Sequence, residues 1–126
     1  MKIFNTLQQR TEEVVPLENG QVRLYTCGPT VYDYAHIGNF RAYVFEDLLR
    51  RTLRYLVGLR VEQVMNLTDV DDKTIRGARA RGMALADYTH TFKQAFFEDL
   101  RALQIEPAEH YPAATDHIPA MIALIA

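Results

Sequence analysis

The sequence contains one cysteine, Cys27, among its 126 residues, and it has no strong excess of charge of either sign. One thiol cannot form an internal disulfide, so the chain fits a reducing, cytoplasmic compartment. Fourteen basic residues against sixteen acidic residues leave a formal net charge of −2. This balance argues against a stand-alone nucleic-acid-binding module and leaves room only for a local basic face.

Long apolar runs are also lacking. The first twenty residues have no apolar core of the kind found in signal peptides, and no later run is long enough to span a bilayer. Hydrophobic residues nevertheless make up 48% of the chain, which is ample for a packed core in one domain. The composition therefore predicts a soluble, globular protein.

Two short β patterns flank a helical pattern in the first half of the chain. Residues 21–27 alternate in polarity and stop at Gly28-Pro29, which predicts a strand. A helix is predicted from about residue 38 to residue 58, and residues 60–67 predict a second strand. This order implies a parallel pair of strands joined by a right-handed crossover, which is the unit of an α/β fold.

The predicted first helix has apolar residues at three- and four-residue steps, and we expect that stripe to face the core. The stripe consists of Phe45, Leu48, Leu49, Leu53 and Leu56, with Arg41, Arg50, Arg51 and Arg54 around it.

The remaining segments complete the expected organisation. Residues 1–20 are expected to form an arm, and helices are predicted over about 70–81 and 85–104. The second of these helices should bury its aromatic residues. Two prolines predict a loop over 107–112. The aromatic residues are Phe92, Phe96 and Phe97.

The last segment turns apolar after a plausible helix cap at Thr115 or Asp116 and then stops. An exposed apolar stripe needs a partner, so we expect a fragment of a longer enzyme. The alternative is a complete domain whose final helix docks onto its own core.

Residues 25–39, YTCGPTVYDYAHIGN, bring a thiol, a Gly-Pro break and a histidine close together. In α/β sheets, ligands bind outside the carboxyl ends of the strands, and helix N-termini there hold anions. Cys27 lies at such an end. His36 and Gly38 lie at the start of the next helix, where backbone N–H groups and an imidazole would meet a phosphate. The spacing favours a nucleotide phosphate site beside a thiol.

Plainer interpretations of these two side chains stay open at this point. A single cysteine on a strand is often a small buried hydrophobe. A histidine before a glycine is often a helix cap or a satisfied polar group.

Four tracts together form a specific set: KIFNTL (2–7), YTCGPTVYDYAHIGNFR (25–41), HIGN (36–39) within it, and NLTDVDDKTIRGA (66–78). This set resembles the cysteinyl-tRNA synthetases, a family of class I aminoacyl-tRNA synthetases, with HIGN in place of the family's His-Ile-Gly-His motif. The resemblance spans essentially the whole chain but only the first part of a synthetase. It implies that residues 1–126 are the N-terminal portion of a Rossmann-like, HUP-type catalytic domain, an incomplete parallel sheet with flanking helices. The downstream catalytic half and the anticodon-binding domain would lie outside the chain.

The resemblance implies that the full-length enzyme activates cysteine with ATP and Mg²⁺ and attaches it to tRNA(Cys), acting as a monomer. We expect the 126-residue chain to be inactive alone, because the family's second ATP-binding loop lies downstream. Two alternatives stay open. One is a cysteine ligase of the mycothiol-pathway type, and the other is a non-enzymatic module that docks a nucleotide or tRNA.

The resemblance also implies roles for single residues. Cys27 would be one ligand of a zinc ion whose other ligands lie outside the chain. That zinc would bind the thiolate of the substrate and so select cysteine over serine. The ATP side would be the adenylate-forming region from Pro29 to Asn39, with contacts from Pro29, His36, Gly38 and Asn39 and with His36 and Asn39 as the catalytic residues. The amino-acid pocket would comprise Gly28, Thr30 and Thr68.

Asn39 departs from the family pattern, which usually has histidine there. Asparagine donates a hydrogen bond but carries no positive charge, so we expect a tolerated variant that shares transition-state stabilisation differently.

Three acidic residues in the tract TDVDDK, at positions 69, 71 and 72, invite a metal-binding interpretation. They do not share one helix face, so we favour Asp69 as a helix cap, with Asp71 and Asp72 in the first turn.

A basic cluster follows on the same predicted helix and comprises Arg76, Arg79 and Arg81. It either meets the tRNA acceptor stem, where phosphate contacts dominate, or forms a solvated helix face.

Overall fold

The computed structural model describes all residues from Met1 to Ala126 and confirms the predicted α/β unit. Strands β3 (Gln21–Thr26) and β4 (Arg60–Met65) pair in parallel, with Val22 opposite Val61. Helix α1 (Ile37–Arg51) joins them and continues into a π-helical turn, Thr52–Leu56. The pairing agrees with the partial Rossmann-like architecture implied by the resemblance.

The predicted loop over 107–112 contains no regular strand or helix, but the extended segment 110–113 lies along the other edge of β4 through two isolated parallel bridges. The N–H of Met65 donates to the carbonyl of His110 at 3.0 Å, and that of Leu67 donates to the carbonyl of Pro112 at 2.8 Å. Proline lacks an N–H but keeps its carbonyl acceptor, so it is tolerated where only acceptors are needed.

The expected N-terminal arm contains an antiparallel hairpin. Strands β1 (Lys2–Asn5) and β2 (Arg10–Glu13) pair with Lys2 opposite Glu13. Both strands are mostly exposed, and Gln9 rather than a glycine takes the positive φ at the turn, 51°. The hairpin could not be predicted from the sequence, because its strands have no buried alternating face and its turn has no glycine.

Helices α2 (Asp72–Ala80) and α3 (Leu85–Ala102) follow β4, with bounds close to those predicted. Phe92 and Phe96 of α3 are buried as expected, and Phe97 is half-buried against the main core. The Phe96 ring meets Tyr43 of α1 edge to face, with 5.4 Å between centroids. The core therefore lies between α1, α3 and the sheet.

The prediction that the apolar stripe of α1 faces the core is wrong. Phe45 and Leu48 are 65% and 61% exposed, and within the stripe only Leu53 is buried. The inward side of the helix instead carries Phe40 and Tyr43. Apolar spacing identifies a stripe, but it does not determine which side of the helix this chain covers.

Arg50 is buried on the inner side of α1, with 2% of its surface exposed. Its Nη1 donates to the carbonyls of Glu106 at 3.2 Å and Pro107 at 2.5 Å, and its Nη2 pairs with the Glu109 carboxylate. This side chain therefore ties α1 to the segment that leads into the extended residues 110–113.

A 3₁₀ turn, Ala114–His117, leads into helix α4 (Ile118–Ile125), of which no residue is buried. The alternative in which this helix docks onto its own core is therefore wrong. The helix is capped at His117 without a side-chain hydrogen bond, so the expected cap at Thr115 or Asp116 is also wrong. No helix is both long and apolar enough to cross a membrane.

Candidate functional site

The carboxyl ends of β3 and β4 meet at the place where the sequence puts the site. Beyond the strands, the N–H of Val31 donates to the carbonyl of Thr68 at 3.0 Å, and the N–H of Thr68 donates to the carbonyl of Pro29 at 2.9 Å. These bonds place Thr30 beside Thr68 in a parallel bridge. Two residues predicted to line the amino-acid pocket are thus neighbours.

Asn66 joins the third predicted pocket residue, Gly28, to this pair. Its Oδ1 accepts the N–H of Gly28 at 3.2 Å, and its Nδ2 donates to Oγ1 of Thr68 at 3.2 Å. One amide therefore fixes the distance between the ends of the two strands. Asn66 is a positioning residue that the sequence analysis missed, because its partners become neighbours only in the folded chain.

Cys27 is exposed, so its interpretation as a small buried hydrophobe is wrong. Its Sγ lies 3.7 Å from the carbonyl oxygen of Gly28. The chain contains no group of three or more His, Cys, Asp or Glu side chains that could hold a metal ion. A tetrahedral zinc site needs four ligands, so the residues of this chain alone do not fit one.

The first turn of α1 is organised by a reciprocal cap between His36 and Asn39. The N–H of Gly38 donates to Nδ1 of His36 at 3.0 Å, and the N–H of His36 donates to Oδ1 of Asn39 at 3.1 Å. Because Nδ1 accepts, the neutral imidazole carries its proton on Nε2. Both side chains therefore cap the helix and still have an N–H to donate, His36 from Nε2 and Asn39 from Nδ2.

Gly38 provides the space for this arrangement. A Cβ at that position would lie 2.8 Å from Cε1 of His36, so any side chain would push the imidazole away. The missing side chain at Gly38 therefore lets the imidazole lie against the first turn of the helix.

A cleft of about 270 Å³ opens in front of this helix start. Four residues predicted from the sequence line it, namely Pro29, Thr30, His36 and Asn39, whereas Cys27, Gly28, Gly38 and Thr68 lie beside it. Six further residues line it, namely Tyr32, Asp33, Tyr34, Ala35, Tyr43 and Lys73, of which only Tyr43 and Lys73 lie outside the predicted ATP-binding region 29–39. The first four fall within the HIGN-containing tract, but nothing in the sequence places Tyr43 or Lys73 at the same cleft.

Tyr43 remains a neutral phenol in the cleft wall. Burial raises the pKa of Tyr43 to about 12, and the nearby Glu46 and Cys27 add to the shift. Burial also raises the pKa of Glu46, although a hydrogen bond with Thr26 partly opposes the change.

The three carboxylates of the TDVDDK tract have separate structural roles, and Asp69 is not the helix cap that was predicted. The N-cap of α2 is Asp71, whose Oδ1 accepts the N–H of Thr74 at 2.8 Å, and Asp72 lies in the first turn as expected. Asp69 instead is buried and accepts bonds from Nζ of Lys93 at 2.5 Å and Oγ1 of Thr115 at 2.6 Å.

Those bonds determine the charge state of Asp69. Burial opposes ionisation of this carboxyl, but hydrogen bonds from Lys93 and Thr115 outweigh burial and lower the pKa of Asp69. The ionised carboxylate therefore joins α3 to the segment that follows the extended residues 110–113.

The basic cluster of Arg76, Arg79 and Arg81 is exposed. Exposure is required both for contact with tRNA and for a solvated helix face. The Arg81 guanidinium lies 5.1 Å from the ring centroid of Tyr88 and 5.8 Å from that of Phe92. Arg81 thus packs on the aromatic cluster, whereas contact of Arg76 and Arg79 with tRNA stays a prediction.

Comparisons with known proteins agree with this geometry. The family described as the catalytic domain of class I (C) tRNA synthetases matches residues 13–126. A cysteine--tRNA ligase from Protochlamydia amoebophila is 60% identical over 99% of this chain and 26% of its own length. A cysteine--tRNA ligase from Chlamydia felis is 58% identical over 98% of this chain and 25% of its own length.

The chain thus spans about a quarter of the length of these relatives. A family match over residues 13–126 covers almost the whole sequence, and it includes both strand ends and the HIGN turn of the cleft. The chain belongs to the class I (C) tRNA synthetase catalytic-domain family.

Proposed function

We propose that the protein containing this chain activates cysteine with ATP and attaches it to tRNA(Cys). The observation that carries the proposal is the junction at the strand ends. There, exposed Cys27 and the Thr30–Thr68 pair adjoin a cleft that begins at the N-terminus of α1. A site with the Cys27 thiol at one end and a helix N-terminus that binds anions at the other suits a reaction between a thiol amino acid and a nucleotide. The name of the relatives, cysteine--tRNA ligase, supports the same reaction.

On the ATP side, we assign His36 and Asn39 to the phosphates. Their free N–H groups are neutral donors at a helix N-terminus whose first turn contains no acidic side chain. Pro29 would line this side, and the Gly38 backbone would pack against the adenine or ribose. Fixed donors of this kind stabilise charge that develops at the α-phosphate.

On the amino-acid side, we assign Gly28, Thr30 and Thr68 to the substrate pocket. They would align the cysteine carboxylate with the α-phosphorus, and alignment alone lowers the barrier substantially. A carboxylate oxygen forms the new bond to phosphorus, and pyrophosphate leaves with the electron pair of the broken bond. A ribose hydroxyl of the terminal adenosine then takes the cysteinyl group, and AMP leaves.

We assign Cys27 as one zinc ligand and expect the other ligands from the rest of the polypeptide. Residues 1–126 would be the N-terminal portion of the catalytic domain, in a monomeric cytoplasmic enzyme that uses ATP with Mg²⁺. The single exposed thiol supports a reducing compartment.

Cysteine-dependent exchange of pyrophosphate into ATP tests the activation step in the full-length protein. We expect exchange with cysteine but not with serine, charging of tRNA(Cys), and tight calorimetric binding of a sulfamoyl analogue of cysteinyl-adenylate. The 126-residue chain alone should support no exchange. Loss of cysteine-dependent exchange in the full-length protein would contradict the proposal.

The same assays separate the two alternatives. Transfer of activated cysteine to an aminosugar rather than to tRNA would support a ligase of the mycothiol-pathway type. Binding of ATP or tRNA without exchange or analogue binding would support a docking module.

A further inference from the structure

We propose that Lys73 binds the triphosphate of ATP in the cleft, a role that rests on the function proposed above. Lys73 lies in the first turn of α2, and its Nζ is 4.6 Å from the ring centroid of Tyr32. Both side chains line the cleft together with His36 and Asn39. The TDVDDK tract was interpreted through its three acidic residues. Neither that interpretation nor the roles described above include Lys73.

The ammonium group of Lys73 is not neutralised by the protein. The ion pairs of the chain involve Lys93 and several arginines but not Lys73. Asp33 is the one acidic residue that lines the cleft, and its Oδ1 accepts the N–H of Tyr34 at 2.8 Å. All three N–H donors of Lys73 are therefore available to a ligand.

The position of Lys73 is determined by packing behind Tyr32. The hydroxyl of Tyr88 donates to the carbonyl oxygen of Tyr32 at 2.5 Å, and Tyr88 is itself buried with Val31 and Phe92. The backbone of Tyr32 is thus anchored to α3, and the Tyr32 ring faces the ammonium of Lys73. A cation–π contact orients a cation without neutralising it, which leaves the charge available for phosphate.

The cleft otherwise has no full positive charge for a polyphosphate. His36 accepts a bond at Nδ1 and is neutral in that state, and Asn39 is an amide. Among the lining residues, Lys73 is therefore the one with a cationic side chain. A polyphosphate bound between the α1 N-terminus and α2 would meet neutral donors on one side and this cation on the other.

The test measures pyrophosphate exchange in the full-length protein without tRNA, using Lys73→Met, Lys73→Arg, Tyr32→Leu and, as a matched control, Arg76→Met. Arg76 is an exposed cation on the same helix that does not line the cleft. Loss of a charged hydrogen bond predicts a rise in KM for ATP of about 10- to 100-fold for Lys73→Met. The KM for cysteine should stay within about twofold, since the other pocket is untouched.

Retention of charge should rescue binding, so Lys73→Arg should recover most of the ATP affinity. Tyr32→Leu should raise the KM for ATP by about two- to fivefold, because the ammonium loses its support. Arg76→Met should match the unmodified protein in this assay, because tRNA contact is the one role predicted for Arg76 and tRNA is absent.

Three results would overturn the assignment of Lys73: an unchanged KM for ATP in Lys73→Met, an equal loss in Arg76→Met, or a defect confined to transfer onto tRNA. A parallel rise in both KM values, together with a lowered unfolding temperature, would also overturn it in favour of a structural role. Absence of cysteine-dependent exchange in the unmodified protein would instead overturn the proposed function, and the Lys73 assignment with it.

Discussion

Gly28 and Asn66 approach so closely at the ends of β3 and β4 that no side chain fits between them. A Cβ at Gly28 would lie 1.9 Å from the backbone carbonyl oxygen of Asn66, and the Gly28 N–H donates to the Asn66 side chain. A backbone oxygen cannot rotate away as the tip of a side chain can. This contact therefore determines how far apart the two halves of the proposed amino-acid pocket lie.

Gly28→Ala should force the strand ends apart. We expect a loss of stability of about 1–3 kcal/mol, as for other overpacked sites, together with a large fall in cysteine-dependent exchange. Thermal unfolding and exchange assays measure both effects. The matched control is Gly58→Ala, where φ is 78° and no heavy atom lies within 4 Å of the added Cβ.

Gly58→Ala should lower stability through backbone strain alone and leave exchange intact. Normal exchange in Gly28→Ala would show that the strand ends relax without consequence for the pocket.

Asn39→Asp separates the two roles assigned to Asn39. A carboxylate still accepts the His36 N–H, and its charge is favourable at a helix N-terminus, so the stability of α1 should be kept or slightly raised. The same charge faces the expected phosphates and removes an amide donor. We therefore expect the KM for ATP in the exchange assay to rise by about tenfold or more.

Asn39→Ala is the companion variant, because it removes the cap without adding charge. It should lower stability by about 1 kcal/mol and raise the KM for ATP less than Asn39→Asp does. If Asn39→Asp leaves the KM for ATP unchanged, Asn39 is a helix cap and nothing more.

The parallel strand pair and the helix start at the HIGN tract could be predicted because their signals are local. Alternation over β3 stops at Gly28-Pro29, and the HIGN tract provides both halves of a reciprocal cap within four residues. The resemblance assigned Thr30 and Thr68 to one pocket, and the two residues lie side by side at the edge where the parallel strands present their carboxyl ends.

The features that could not be predicted depend on contacts between distant residues. Asp69 was interpreted as a cap, but its partners Lys93 and Thr115 lie 24 and 46 residues away. Arg50 was grouped with surface arginines because its carbonyl acceptors lie more than fifty residues downstream. Lys73 reaches the cleft only because α2 packs beside Tyr32. Local pattern carries no information about these distances.

Arg50→Met tests the buried anchor between α1 and residues 106–109. The substitution removes the guanidinium and leaves two carbonyls and the Glu109 carboxylate without that partner. Glu109 is about one-third exposed, so the loss comes mainly from the two carbonyls left without a donor, which predicts a local stability loss of about 1–3 kcal/mol. Hydrogen exchange of peptides covering residues 105–113 in the full-length protein measures the opening of this region.

The control is Arg54→Met, because Arg54 is half-exposed and lies 3.7 Å from the Glu106 carboxylate. A surface pair of this kind predicts a change within about 1 kcal/mol. Equal exchange rates in the two variants would contradict an anchoring role for Arg50.

Cys27→Ala tests the proposed zinc ligand. The full-length protein should lose stoichiometric zinc, measured by elemental mass spectrometry, because a four-coordinate site loses one of its ligands. His110→Ala is the control, since His110 is exposed and lies 3.3 Å from Glu62 rather than near Cys27. The 126-residue chain, with one candidate thiol, should hold zinc weakly, and stoichiometric zinc on that chain would contradict the prediction.

Acid unfolding should reveal the buried carboxylate of Asp69. Its pKa in the folded chain lies below the ordinary value of 3.8, because bonds from Lys93 and Thr115 outweigh the effect of burial. For a lowered carboxyl pKa, the stabilisation is complete above the unfolded value and is lost as the pH falls through the folded value. The contribution should therefore be full above about pH 5 and decline below about pH 4.

Asp69→Asn removes this titration but leaves Lys93 without its anion. The stability difference between the unmodified protein and Asp69→Asn should be large near pH 7 and should shrink as the pH falls below about 4, measured by denaturant unfolding at each pH. Asp87→Asn is the control: Asp87 is exposed in the first turn of α3 and should contribute only about 0.3–1 kcal/mol. A difference for Asp69→Asn that does not change with pH would show that the aspartate acts through packing rather than through its charge. In that case, the link between α3 and the residues around Thr115 would not depend on the ion pair with Lys93.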